Sequence, residues 1–261
     1  MLYLNDEFKA AWPQPFEAAI AQQGEVYRSK EGRRTLRFEL QQKSYFLKLH
    51  QGIGWGEIIK NLLQLRLPIL GARNEWQAID HLKAINVGTM TAVAYGERGC
   101  NPAKQLSFIV TEDLANTISL EDYCKDWREK PPAAELRRRL IARVGEMAGK
   151  MHGSGMNHRD FYLCHFLLDE TIDEADDTWP QLHIIDLHRA QIRAKVPHRW
   201  QVKDLAGIYY SALDIGLSRE DVALFLECYR LPLSLEVLTE VTMKAIKLYR
   251  KDLGREPVMP V

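Results

Sequence analysis

Between Arg34 and His50 the chain reads RTLRFELQQKSYFLKLH. Leu36, Phe38 and Leu40 alternate with polar neighbours. After the QQ turn, Tyr45, Leu47 and Leu49 share one face, with Phe46, Lys48 and His50 on the other. A period of two over two successive segments predicts a pair of half-buried strands. A further strand is expected from Leu106 to Thr111, after which the composition turns abruptly polar, as a connector between two lobes would. GEIIKNLLQLRLPILGARNEWQAIDHLKAI reads as helix, a break at Pro68–Gly71, and helix. In PPAAELRRRLIARVGEMAGKMHGSG the two prolines suit a first helical turn, the late glycines a C-terminal cap, and Leu136, Leu140, Val144, Met147 and Met151 a buried stripe. Strands first and helices afterwards make the class α+β. The 261 residues suffice for one large domain or two lobes, residues 1–111 and 112–261.

Thirty-five basic residues balance 35 acidic ones, which argues against nucleic-acid binding by bulk charge. Apolar residues at 46% and charged ones at 27% fit an ordinary folded chain. Cys100, Cys124, Cys164 and Cys228 are dispersed, without a CxxC pair, so a reducing cytoplasm is expected. MLYLNDEFKAAW lacks a basic region followed by an apolar one, so no signal peptide is expected. No apolar run approaches the ~20 residues of a spanning helix.

The helix predicted before Gly153 delivers the chain into NHRDFYLCHFLLD, Asn157 to Asp169. His158, Cys164 and His165 match no recurring zinc spacing. The acidic insert DETIDEADDTWP lacks the glycine of a calcium loop and reads as a solvated loop. Two other positions carry charge where apolar neighbours are expected. Lys48, mid-strand, is either a snorkelling edge residue or a cation placed deliberately. Glu75 shares a helical stripe with Ile79 and Leu82; it either wants a cation or sits near a cap at Asn74.

A strand lysine, a helix glutamate, a connector, His-Arg-Asp and a strand ending in Asp186 follow one another in the order used by protein-kinase-like enzymes. RRTLRFEL, SYFLKLH, EIIKNLL, PILGA, VTEDLANTISLEDYC, NHRDFYLCHFLL and IDLHRAQIR together resemble the lipopolysaccharide core heptose(I) kinases over nearly the whole chain. The resemblance implies a bilobal protein-kinase-like fold, with a β-rich N-lobe and a mainly helical C-lobe. It implies ATP-dependent phosphorylation of the first heptose of the inner core, at its 4-hydroxyl.

On that resemblance, Lys48 holds the nucleotide phosphates, oriented by Glu75, while the backbone of Glu112, Asp113 and Leu114 reads the adenine edge. Asp160 takes the acceptor proton, and Asp186 binds Mg²⁺. His158, Arg159 and Asp204 support the catalytic loop. Four departures stand out. No GxGxxG covers the phosphates, so Lys30–Arg34 becomes the substitute. The second-metal asparagine is replaced by His165, a poorer Mg²⁺ ligand that leaves Mn²⁺ open. Leu187 and His188 follow Asp186, and no Ala-Pro-Glu follows. Arg189, Arg193, Lys195, His198 and Arg199 suit an anionic acceptor such as lipopolysaccharide core beside lipid A phosphates, or form a solvated basic loop. Such an acceptor implies a cytoplasmic enzyme peripheral to the inner membrane. GIGWGEIIKNLLQLRLPILGA, apolar and flanked by cations, suits an acidic, acyl-bearing partner such as acyl carrier protein, or lipid; otherwise it is buried between lobes. A kinase-like enzyme for another sugar or protein, or a catalytically dead binding module, are the alternatives.

Overall fold

The computed structural model describes residues 1–30, 32–52, 54–63, 71–171 and 179–260. These divide into two compact units, residues 1–80 with 90–115, and residues 81–89 with 116–261. Sequence reading puts the division at 111/112 and does not separate residues 81–89 from the first part.

The first unit opens with β1 (Leu2–Leu4), α1 (Asp6–Ala11) and α2 (Pro15–Ala21), followed by β2 (Glu25–Lys30), β3 (Arg33–Leu40) and β4 (Lys43–His50). Next come α3 (Gly54–Leu63), α4 (Arg73–Ala84), which runs on past the unit's boundary, β5 (Ala92–Arg98) and β6 (Leu106–Glu112). The six strands form one antiparallel sheet in the order β1-β5-β6-β4-β3-β2. The alternation in β3 and β4 has the expected outcome: Leu36, Phe38, Tyr45, Leu47 and Leu49 are buried together with Phe8 and Trp12 of the first helical segment and Phe108 and Val110 of β6. Lys48 lies opposite Thr35 and Ile109. The expected break at Pro68–Gly71 lies, apart from Gly71, outside the described residues. Asn74 falls within the first turn of α4 and not before it, so the capping alternative for Glu75 does not hold.

In the second unit, β7 (Thr117–Ser119) leads to α5 (Leu120–Cys124) and α6 (Ala134–Gly153). Short strands β8 (Met156–Asn157), β9 (Phe166–Asp169), β10 (Leu182–Ile184) and β11 (Gln191–Ile192) follow, and then α7 (His198–Ala212), α8 (Arg219–Tyr229) and α9 (Leu235–Leu253). β10-β9-β7 form one antiparallel sheet and β11-β8 a two-stranded one. All five residues of the predicted α6 stripe are buried. Pro131 and Pro132 precede that helix and do not form its first turn. Its glycines serve close packing: a Cβ at Gly149 would run into the Tyr229 backbone, and one at Gly145 would come within 2.7 Å of the Phe225 carbonyl. β8 and β10 deliver the two loops that follow them. Of the acidic insert, residues 172–178 lie outside the described set.

Among the described residues no helix is long and apolar enough to cross a membrane.

Candidate active site

In the first unit, Lys48 Nζ stands 2.7 Å from Glu75 Oε1. Glu75 is 1% exposed, on the same buried stripe as Ile79 and Leu82. Water is excluded from the carboxylate, so the ammonium supplies the charge that burial would otherwise make costly. The placed-cation reading of Lys48 is the one the geometry carries. At the end of β6, the Glu112 N–H donates to Thr91 and the Asp113 N–H to Ser44. The Asp113 carboxylate pairs with Arg37 at 2.8 Å. Both amides are thus engaged, so any reading of adenine by this stretch falls to its other groups.

In the second unit, Asp204 of α7 is fully buried and accepts from the His158 N–H at 2.6 Å and the Arg159 N–H at 2.7 Å. Two successive amides can meet one carboxylate because Arg159 adopts a left-handed φ of 78°. A bulky residue holds that backbone only where its surroundings enforce it. His158 donates from Nε2 to the Ile185 carbonyl at 2.9 Å, while its Nδ1 accepts from the Asp160 N–H at 3.3 Å. The second contact needs the neutral ring, because only there does Nδ1 keep a lone pair. Burial depresses the His158 pKa, opposed by the charge of Asp204.

Asp160 and Asp186 are linked through His165. Its Nδ1 donates to the Asp160 carbonyl at 2.6 Å, and its Nε2 lies 3.7 Å from Asp186 Oδ2. A carbonyl can only accept, so in the neutral ring the lone pair is on Nε2, on the Asp186 side. Asp186 has φ of 59°, and its Oδ1 meets His188 Nδ1 at 2.7 Å. Among the described residues no group of three or more His, Cys, Asp or Glu could hold a metal.

The Asp160 carboxylate meets Arg189 Nη1 at 2.8 and 3.0 Å. Lys203 Nζ is 3.6 Å away and donates to the Arg159 carbonyl. Burial lowers the Lys203 pKa, against the opposing charge of Asp160. Arg193 donates to Asn157 at 2.9 Å and to Gln191 at 2.6 Å. The Arg159 guanidinium lies 4.5 Å over the Trp200 ring. Of the five basic residues singled out after Asp186, Arg189 and Arg193 thus join the loop. Lys195, His198 and Arg199 are exposed, with His198 paired to Glu240 and Arg199 over Trp200.

Sequence reading did not single out Lys203, nor the buried chain behind Asp204. His152 Nε2 lies 3.4 Å from Asp204, its Nδ1 2.8 Å from the Tyr229 hydroxyl, and Gln201 donates to that hydroxyl at 2.9 Å. The placement of His152 on the last turn of α6, next to the loop, was the available signal.

A lipopolysaccharide kinase (Kdo/WaaP) family model matches residues 17–229. The lipopolysaccharide core heptose(I) kinase WaaP of Pseudomonas aeruginosa is 55% identical over 262 aligned residues, covering 96% of both chains. That of Escherichia coli K12 is 56% identical over 206, covering 79% of this chain and 77% of the relative. A solved structure of WaaP in complex with acyl carrier protein superposes with a TM-score of 0.82 at 49% identity, covering 95% of this chain and 99% of that one. With this agreement the α+β architecture is the expected kinase-like one, and the chain belongs to the lipopolysaccharide kinase (Kdo/WaaP) family.

Proposed function

We propose that this chain transfers the γ-phosphoryl group of ATP to the 4-hydroxyl of the first heptose of the lipopolysaccharide inner core. The observation that carries the chemistry is the Asp160 loop, braced through two backbone amides by buried Asp204, with Asp186 and His165 beside it. Phosphoryl transfer asks a protein mainly for positioning and charge neutralisation. Lys48, aligned by Glu75, binds nucleotide phosphate oxygens. Asp160 orients the heptose hydroxyl and accepts its proton as the new oxygen–phosphorus bond forms. Asp186, with His165 Nε2, holds Mg²⁺ or Mn²⁺, which when bound neutralises the phosphate oxygens. Arg189 and Arg193 meet the anionic part of the acceptor.

The identity to curated heptose(I) kinases favours this acceptor over another sugar or a protein. Retention of Lys48, Glu75, Asp160 and Asp186 together speaks against a dead binding module. The test is a panel of acceptors with labelled ATP: dephosphorylated core lipopolysaccharide, free heptose and a generic protein. Label only in the first, lost in Asp160→Asn, supports the proposal; label in the protein alone would overturn it.

An acidic acyl-bearing partner of the acyl carrier protein kind belongs to the same proposal, as does peripheral contact with the inner membrane from the cytoplasmic side. A similar solved chain is in complex with acyl carrier protein. In this chain Trp55, Ile59 and Leu63 stand exposed at i, i+4 and i+8 of α3, a stripe suited to an amphipathic partner surface. Leu65, Leu67, Ile69 and Leu70, which the sequence reading joined to that surface, lie outside the described residues. The second unit independently holds an apolar cavity of about 220 Å³, lined by Leu140, Val144, Ile208, Ala212 and Phe225 among others. Such a cavity takes hydrocarbon in preference to water.

A further inference from the structure

The carboxylate of Asp160 is already covered. Arg189 Nη1 is within hydrogen-bond distance of both its oxygens, at 2.8 and 3.0 Å. One nitrogen can reach both only from between them, on the side where their lone pairs converge. Charge-assisted bonds of this kind are roughly twice as strong as neutral ones. So capped, the converging lone pairs of Asp160 are occupied, and a hydroxyl reaches them only by displacing Arg189.

The surroundings carry more cation than they neutralise. Arg159, Arg189 and Lys203 lie in one another's field, with Asp160 and Asp204 as the carboxylates that oppose them. Arg193, which acts on Arg159 too, spends its bonds on the neutral amide oxygens of Asn157 and Gln191. Arg159 stacks on Trp200, and its Nε is buried without a hydrogen-bond partner among the described residues. An oxyanion is the group this cluster lacks. Arg189 meets Asp160 through one nitrogen alone, so an incoming oxyanion that engages the two-nitrogen fork of its guanidinium replaces Asp160 at low cost.

We infer that Arg189 is the specificity-determining residue for the acceptor: it caps Asp160 until an oxyanion of the acceptor, carboxylate or phosphate, draws its guanidinium away. This rests on the reading of Asp160 as the group that takes the proton. Once uncapped, Asp160 accepts the acceptor's hydroxyl proton while that oxygen bonds to the γ-phosphorus. The bond from phosphorus to the bridging oxygen breaks, and ADP leaves with the electron pair. Without acceptor the cap also keeps Asp160 from assisting water, so hydrolysis of ATP to ADP and inorganic phosphate stays slow.

The experiment compares the full-length wild type, Arg189→Gln, Arg189→Lys and Asp160→Asn. Acceptor-free ATP hydrolysis is measured first, then transfer to a neutral methyl heptoside, to the same heptose linked to a carboxylate-bearing sugar, and to the neutral heptoside with added inorganic phosphate. Wild type is expected to hydrolyse ATP slowly and to prefer the acidic acceptor by at least about tenfold in kcat, the size of one charge-assisted hydrogen bond. Arg189→Gln is expected to raise acceptor-free hydrolysis and neutral-heptoside turnover by about the same factor, so that the preference collapses. Arg189→Lys, which keeps the charge without the fork, should fall between and carries the test if Arg189→Gln does not fold. Stimulation by added phosphate assigns the oxyanion to phosphate, and stimulation only by the linked sugar assigns it to carboxylate; stimulation by neither overturns the inference. A fall in hydrolysis and in both transfers by one common factor in Arg189→Gln, or no change in any, overturns it too. Full transfer by Asp160→Asn would instead remove the proton-acceptor reading, whatever Arg189 does.

Discussion

Asp160 sits at 16% side-chain exposure, with Arg189 and Lys203 as its cationic neighbours and its own backbone tied to both His158 and His165. Its backbone is held by these contacts and not by its carboxylate, so Asp160→Ala should keep the loop's path, at the cost of the ion pair with Arg189. Loss of a positioned proton acceptor typically costs ~10²–10⁴-fold in turnover. A cooperative melt at modestly lower Tm, together with that loss, is the expected pair of results. Lys48 and Glu75 behave differently, because one partner is buried. Lys48→Ala leaves a carboxylate at 1% exposure without its ammonium, and breaking such a pair costs up to about 3 kcal/mol, less whatever water enters. A lower Tm and weaker nucleotide binding should therefore appear together. Glu75→Gln, which keeps a hydrogen-bond acceptor, should weaken nucleotide binding with a smaller change in Tm.

At the scale of elements, the catalytic loop is shaped by α7 from one side and by the turn after β10 from the other, through Asp204 and Ile185. The neutral His158 ring joins the two. The unfolded chain binds a proton near the ordinary histidine value of about 6.5, whereas burial holds the folded ring's value lower. The unfolded state therefore takes up more protons over that window, and the stability from His158 is present above about 6.5 and is lost as pH falls toward the folded value. Melting of wild type and His158→Asn between pH 7.5 and 5 checks this: the variant should lose less Tm on acidification. At His165, replacement by Asn keeps a donor for the Asp160 carbonyl but presents oxygen toward Asp186. A shift in activity from Mn²⁺ toward Mg²⁺ is the expected outcome, measured as the ratio of turnover under the two metals. Much of this loop was legible in the chain. Strand alternation placed Lys48, helical spacing placed Glu75 on a buried stripe, the motif order singled out Asp160 and Asp186, and the family resemblance added Asp204. His152, Tyr229, Gln201 and Lys203 were not legible, because they reach the loop only through tertiary contacts from α6, α7 and α8, and no local spacing records a contact between residues 77 positions apart. The N-terminal β1, α1 and α2 passed unread for a related reason: each is too short to show a period of its own.

For the whole molecule, the residues of interest fall in both units. The first contributes the Lys48–Glu75 pair and the exposed α3 stripe, the second the Asp160 loop, Asp186 and the apolar cavity. If the cavity receives the acyl chain of a carrier protein, Ala212→Phe should fill part of it. Affinity for the acylated carrier should then fall at least about tenfold, while affinity for the acyl-free carrier stays as in wild type. Loss of both to the same extent would place recognition on the carrier's protein surface alone. The activity of the molecule is tested most directly by locating the phosphorus in its product. The purified chain is incubated with ATP, Mg²⁺ and core lipopolysaccharide dephosphorylated at heptose, and the released oligosaccharide is analysed by mass spectrometry and phosphorus NMR. One new phosphate monoester on the 4-hydroxyl of the first heptose, absent with Asp160→Asn, is the expected result. A phosphate on another sugar, or an unmodified core alongside a phosphorylated protein, would contradict it.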